Sequence, residues 1–183
     1  MKKYQIIYAD PPWRYDFSKK TADTIEVHYP SMAIEDICAL KVPSEDNAVL
    51  YLWATAPKLI EALKVIEAWG FTYKTHAIWD KVRVGIGHWF LGQHELLMVA
   101  TKGQFSPPIN TERISSVIRE NKTEHSKKPP YVRDMISKWY PEKTKIELFA
   151  RRNNQTDLWG KNTYDNWTLW GNEVESDIDL TPN

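Results

Sequence analysis

Five short apolar runs punctuate the chain: Ile6 to Tyr8, Ala48 to Trp53, His76 to Trp79, Leu96 to Val99 and Ile146 to Phe149, each bounded by polar or turn residues. Short, continuously apolar runs of this kind predict strands buried on both faces of a sheet. Between them the periodicity becomes helical. Pro57 to Trp69 sets Leu59, Leu63 and Ile66 on one side, with Pro57 in the first turn and Gly70 as a stop. Pro130 to Tyr140 repeats the design with Val132, Met135, Ile136 and Trp139. Strands alternating with helices predict an α/β fold, a mostly parallel central sheet with helices on both faces. Ligands of such sheets gather at the carboxyl ends of the strands, where Asp10 and Arg151 fall. Phe17 to Tyr29, Lys81 to Gly92 and Gln104 to Ser126 lack either period and are expected to be long loops of the kind that form lids and binding surfaces.

A length of 183 residues fits one domain, expected over residues 1–174, followed by an acidic tail, 175–183, expected to be flexible. The single cysteine, Cys38, excludes an internal disulfide and a Cys-rich zinc site, as suits a reducing cytoplasm. No apolar run has the length of a signal peptide core or a membrane helix, so a cytoplasmic protein is expected. The net charge is zero, yet it hides an asymmetry. From Arg113 to Arg152 eleven Lys or Arg stand against five acids, whereas beyond Asn153 one Lys stands against six acids. The basic stretch suits a polyanion and equally suits a solvated face.

Candidate chemistry begins where the first strand runs into Asp10-Pro11-Pro12-Trp13. The strand would deliver a carboxylate into a cleft, and the prolines would fix the backbone so that the Pro11 carbonyl cannot turn away. Two preset acceptors beside an aromatic ring match a planar amine on an aromatic ring, such as a nucleobase amine. The other reading is a turn that closes the strand with Trp13 in the core. Lys145 to Asn154 reads as a strand with an acid, Glu147, inside it and a dense polar turn, Arg151, Asn153 and Asn154, beyond it. Either this turn lines a small-molecule cleft, or Glu147 pairs with Lys145 or Arg151 on an edge strand. Gly171-Asn172-Glu173 follows Trp167 to Trp170 like the end of a strand, as a site for ribose hydroxyls or an ammonium, or as a plain turn. Lys128 stands before the helix that begins at Pro130, a place that attracts carboxylate or phosphate, or simply water. His88 and His94 have no standard metal spacing, and no Gly-x-Gly-x-x-Gly, phosphate-binding loop or nucleophile elbow occurs, so no metal is expected and nucleotide hydrolysis and dehydrogenation lose support.

Taken in order, these stretches resemble the adenine-N6 methyltransferase family with the Asp-Pro-Pro-Trp motif, the family of the catalytic subunit of the messenger-RNA m6A methyltransferase, over nearly the whole chain from Ile6 to Glu173. The motif stands as Asp10 to Trp13, the gate-loop Tyr-x-x-Met as Tyr29 to Met32, and the Gly-His-Trp loop as Gly87 to Trp89. Lys128-Pro129 and Glu147 to Arg151 complete the set. The resemblance implies a Rossmann-like S-adenosylmethionine-dependent fold of permuted motif order. It implies cofactor contacts at Asp10, Lys128, Glu147, Phe149, Arg151, Asn153, Asn154, Asn172 and Glu173. Trp13, Tyr29, Glu95 and Lys128 would lie near the target adenosine, and Asp10 to Trp13 would carry the catalysis. The writer subunit has His in place of Asn153 and Gln in place of Glu173, which puts particular hydrogen bonds in question while keeping a polar group at each place.

The implied reaction is methyl transfer to the N6 amine of adenine in nucleic acid. Because this compact type looks bacterial or phage-like, DNA is favoured over RNA. Cytosine-N4 methylation and a non-catalytic nucleic-acid-binding subunit are the rivals; the intact Asp10 to Trp13 argues against the second. The loop from 81 to 92 corresponds to the family's partner-docking region, so a homodimer through it is expected.

Overall fold

The computed structural model of the chain describes residues 2–15, 31–122, 127–151 and 166–180. In chain order the elements are β1 (Tyr4–Ala9), α1 (Ile34–Ala39), β2 (Ser44–Thr55), α2 (Leu59–Ala68), β3 (Thr72–Asp80), β4 (His94–Lys102), β5 (Val117–Arg119), α3 (Pro130–Trp139), β6 (Lys145–Leu148) and β7 (Trp167–Trp170). The strands form one seven-stranded sheet in the order β5-β3-β4-β2-β1-β6-β7. β1 pairs in parallel with β2 and β6, β6 with β7, and β3 with β5, while β4 runs antiparallel to both β2 and β3. The sheet is therefore mixed, mostly parallel, with β4 as its reversed strand.

That reversal matters for the site. β1, β2, β3, β5, β6 and β7 all end at one edge of the sheet, and β4 begins there, with Glu95 in register with Thr55 and Trp79. Chemistry at the carboxyl ends of six strands thus meets chemistry at the start of the seventh.

Alternation along each strand splits the core in two. Ile7, Ala9, Leu50, Leu52, Leu96, Met98, Ile146 and Leu148 share one face with Ile37 of α1 and Ala62, Val65 and Ile66 of α2. Ile6, Tyr8, Val49, Tyr51, Trp53 and Leu97 share the other with Val132, Met135 and Ile136 of α3. Helices cover both faces, as the apolar pattern predicts. On α2, however, Leu59 and Leu63 are each 38% exposed. The inward stripe runs through Ala62, one residue aside, because the small side chain lets the helix approach the sheet closely.

Two segments depart from expectation. Within the presumed irregular stretch from 104 to 126 lie a single helical turn, Asn110–Glu112, and the edge strand β5. Composition predicts mobility for the acidic segment from 175, but its described part is held: Asp177 accepts the Leu169 N–H at 2.7 Å, Ser176 bonds Gly171, and Leu180 is buried. Residues 181–183 lie outside the described residues.

Candidate active site

β1 leads into Asp10, and the next three residues fold into a tight, locked turn. The Trp13 N–H donates to the Pro11 carbonyl at 2.9 Å, and the Met32 N–H donates to the Pro12 carbonyl at 2.8 Å. A carbonyl oxygen has two lone pairs, so Pro11 keeps one for a further donor. Trp13 itself is buried, and its indole N–H donates to the Trp53 carbonyl at 3.1 Å. The ring therefore anchors the turn and leaves little face for stacking, a difference from the aromatic platform read in the sequence.

Asp10 stands at the end of an alternating chain of charges. The Lys128 ammonium lies 2.8 Å from each Asp10 oxygen and 3.2 Å from Glu95 Oε2. Glu95 Oε1 in turn accepts from Lys81 Nζ at 2.5 Å. Each ammonium also sits over an indole: Lys128 is 5.8 Å from the Trp53 ring centroid and Lys81 is 5.2 Å from that of Trp79. Burial opposes charge on Glu95, yet Lys128 and Lys81 outweigh it and hold its carboxyl below the usual carboxylate range. Burial likewise opposes charge on Lys128, but Asp10 and Glu95 raise its pKa above that of an ordinary lysine. Among the described residues the cluster sets two basic side chains against two acidic ones.

Asp10 also lines a pocket with Pro12, Met32, Phe149, Ala150, Arg151, Trp170, Asn172 and Glu173. Its floor is made where β6 and β7 end. The Ala150 N–H donates to the Trp170 carbonyl at 2.9 Å, which draws the two exits together. A Cβ at Gly171 would stand 2.5 Å from the Ala150 oxygen, so only glycine fits there. Phe149, directly after β6, lies in the left-handed region, φ 62°, a conformation that a phenylalanine adopts only under constraint from its surroundings. Its ring packs edge-on to Trp170 at 5.3 Å. Arg151 Nε faces Glu173 Oε1 across the mouth at 3.8 Å.

Asp10, Phe149, Arg151, Asn172 and Glu173 thus meet in one pocket, while Lys128 and Glu95 meet on the other side of Asp10. Glu147 does not join them. It alternates to the opposite face of β6 and forms a buried ion pair with Arg133 of α3, which also differs from the edge-strand pairing with Lys145 or Arg151, since β6 lies between β1 and β7. Tyr29, Asn153 and Asn154 lie outside the described residues. The sequence reading passed over Lys81 and Trp170. A charge directly after an apolar strand was the available signal for Lys81, the same signal that singled out Asp10. Among the described residues no group of three or more His, Cys, Asp and Glu could hold a metal ion, and no helix is long and apolar enough to cross a membrane.

Comparison with known proteins gives a consistent result. The MT-A70 family pattern matches residues 4–173. The type II methyltransferase M.MunI of Mycoplasma sp is 34% identical over 94% of this chain and 78% of that protein. A putative N(6)-adenosine-methyltransferase MT-A70-like protein of Medicago truncatula is 30% identical over 94% of this chain but 26% of its own length. The human N(6)-adenosine-methyltransferase catalytic subunit METTL3 is 26% identical over 94% of this chain and 28% of that protein. The chain spans about a quarter of the length of these last two relatives.

Proposed function

The chain belongs to the MT-A70 family, and on that premise we propose that it transfers a methyl group from S-adenosylmethionine to the N6 amine of adenine in nucleic acid, with DNA favoured over RNA. The observation that carries the reading is the double position of Asp10. Its carboxylate lines the pocket formed by Phe149, Arg151, Trp170, Asn172 and Glu173, and it also faces Lys128 and Glu95. An acceptor for an amine therefore stands where the pocket meets the Lys128–Glu95 charge cluster, a place suited to align an incoming amine with a molecule bound in the pocket.

The pocket residues fit the methyl donor. Arg151 suits its carboxylate, Asp10 and Glu173 its ammonium, Asn172 and Glu173 its ribose hydroxyls, and Phe149, Trp170 and Met32 its apolar parts, while the glycine at 171 lets the two strand exits that carry these residues approach each other. S-adenosylmethionine supplies an electrophilic methyl group on sulfur. We read the sheet as the Rossmann-like methyltransferase fold over a single domain, residues 1–174, with the order of motifs permuted: Asp10 to Trp13 precede the cofactor residues.

The chain's own residues act on the amine. Its lone pair is delocalised into the purine ring, and the Asp10 carboxylate and the free lone pair of the Pro11 carbonyl each accept one N–H, which favours a pyramidal nitrogen with a localised lone pair. The acceptors are fixed before the reaction by the Trp13-to-Pro11 turn, so no reorganisation is needed. The methylated amine is cationic and acidic enough to release its proton without a dedicated strong base. A base must leave the stack to reach Asp10, which makes single-stranded or flipped adenine the expected form.

DNA is favoured because the type II methyltransferase is matched over most of both chains, whereas the N(6)-adenosine relatives share only a part of their length. A cytoplasmic location follows from that substrate. Incubation with labelled S-adenosylmethionine and matched single- and double-stranded DNA and RNA, followed by nucleoside mass spectrometry, tests base, atom and polymer together. N6-methyladenine in DNA is expected; N4-methylcytosine, or no product, would contradict the reading. Asp10→Ala should lower turnover at least about 100-fold while weakening cofactor binding much less, and unchanged turnover would sink the assignment of Asp10.

A further inference from the structure

Lys81 has no part in the chemistry described so far, yet it closes the charge chain. It leaves β3 directly after Asp80, and its backbone N–H donates to the Gln93 carbonyl at 2.8 Å, which fixes it beside Glu95 at the start of β4. Its side chain is mostly covered, 18% exposed, and that of Glu95 is 6% exposed. A lysine held in this way is not a solvated surface charge.

The count of charges decides what it does. Among the described residues, the cluster with Lys81 holds Lys81, Glu95, Lys128 and Asp10, two cations against two anions. Without it, Lys128 would be the one cation among the described cluster residues to face both carboxylates, and two carboxylates that share one cation in a covered site cannot both stay ionised to the same low pH. As the anion, Asp10 accepts an amine N–H about twice as strongly as a neutral acceptor and with either oxygen, whereas protonation turns one of its oxygens into a donor. We propose that Lys81 is a positioning residue of the methyl-transfer site: by neutralising Glu95 and occupying its Oε1, it leaves the charge of Lys128 to Asp10 and keeps Asp10 an ionised acceptor. The inference rests on the reading of the chain as an adenine methyltransferase.

Among the described residues packed beside the cluster, the nearest titratable groups are tyrosines and an acid already engaged elsewhere. Tyr8 and Tyr15 lie near it, and burial raises the pKa of both, so they stay neutral through the acid range. Asp80, the neighbour of Lys81, is occupied on its outer side by the Val82 N–H, Gln93 and Arg119, with His94 nearby. The cluster is thus the local unit of charge balance.

The sign of the pH effect follows. A carboxylate pair that has lost one of its two cations takes up a proton at higher pH, so the acid limb of the kcat profile must move up. In Lys81→Gln, kcat at neutral pH is expected to fall about 10- to 100-fold, with the acid limb raised by about one pH unit or more. Calorimetric binding of S-adenosylmethionine should stay near wild type. Lys81→Arg keeps the charge and should restore both kcat and the profile. Lys81→Gln combined with Glu95→Gln removes one cation and one anion together, so its acid limb should return toward wild type. Carboxyl carbon NMR titration reads the same proton uptake without turnover.

An acid limb that does not move in Lys81→Gln, a Lys81→Arg enzyme as impaired as Lys81→Gln, or a double variant whose limb stays with that of Lys81→Gln would each overturn the proposal. Should Lys81→Gln fail to fold, the Arg variant and the charge-balanced double variant still decide it. A wild-type protein that methylates no adenine refutes the functional reading before any variant is made; an active wild type with an unmoved limb refutes the role of Lys81 alone.

Discussion

At Gly171 the requirement is steric and leaves no latitude. The two atoms that a new Cβ would meet first, the Ala150 oxygen at 2.5 Å and nitrogen at 2.6 Å, both belong to backbone, and that backbone is tied to Trp170 by a hydrogen bond. A flexible side chain could swing aside, but these atoms can move only if the exits of β6 and β7 part. Both exits carry pocket residues, Arg151 on one and Asn172 with Glu173 on the other. Gly171→Ala is therefore expected to cost about 1–3 kcal/mol of stability, as overpacking does, and to weaken S-adenosylmethionine binding at least about tenfold. Thermal unfolding and calorimetric titration check the two effects, and a variant with wild-type affinity would remove Gly171 from the site. The sequence shows Gly171 beside two polar residues but not that Ala150 approaches it, because that contact joins segments about 20 residues apart through a parallel pairing.

Elements show where the sequence is legible and where it is not. The five apolar runs fall within or next to β1, β2, β3, β4 and β6: in β1, β2, β4 and β6 burial on both faces marks nearly every residue, while β3 shows only at its covered end, where Trp79 is buried. β5 escapes because three residues at a sheet edge, with only Ile118 buried, carry too little apolar signal. The direction of β4 is equally hidden: an antiparallel strand inside a mostly parallel sheet is as apolar as its neighbours, yet its reversal brings Glu95 to the edge where Asp10 lies. Glu147 shows the limit of motif reading. In the chain it stands two residues before Phe149 and four before Arg151, but the alternation of β6 sends it to the α3 side, against Arg133, whose guanidinium also stacks 5.0 Å from the Trp167 ring. The pair joins helix to sheet under the core. Breaking a buried pair leaves one charge uncompensated, so Glu147→Gln should lose about 3–5 kcal/mol in denaturant unfolding. The affinity for S-adenosylmethionine should match wild type wherever the variant is folded; a selective loss of affinity at unchanged stability would return Glu147 to the pocket.

Over the whole molecule, the charge asymmetry of the sequence proves smaller on the surface than in the chain. Of the basic residues between 113 and 152, Arg133 and Lys145 are buried and Lys128 belongs to the Asp10 cluster, while Arg113, Arg119, Lys122, Lys138 and Lys143 remain exposed to meet a polyanion. Apolar surface is the larger anomaly. The loop between β3 and β4 is pinned at its base, where the Gly85 N–H donates to the Gly92 carbonyl at 2.7 Å and Asp80 accepts from Val82 and Gln93. From this fixed base Ile86, Trp89, Phe90 and Leu91 point into solvent, Trp89 with 93% of its surface exposed. Covering Trp89 and Phe90 of two copies would remove roughly 600–1,000 Å² from water, a gain on the order of 15–25 kcal/mol before costs. Association and side-chain ordering oppose it by about 4–15 kcal/mol. The balance predicts a homodimer through this loop at micromolar concentration. Trp89→Asp and Phe90→Asp should shift the protein to monomer with its thermal stability unchanged, because neither ring supports the core. Static light scattering across a concentration series decides the matter: a wild type that remains monomeric at high concentration removes the dimer, and aspartate variants that still dimerise move the interface elsewhere.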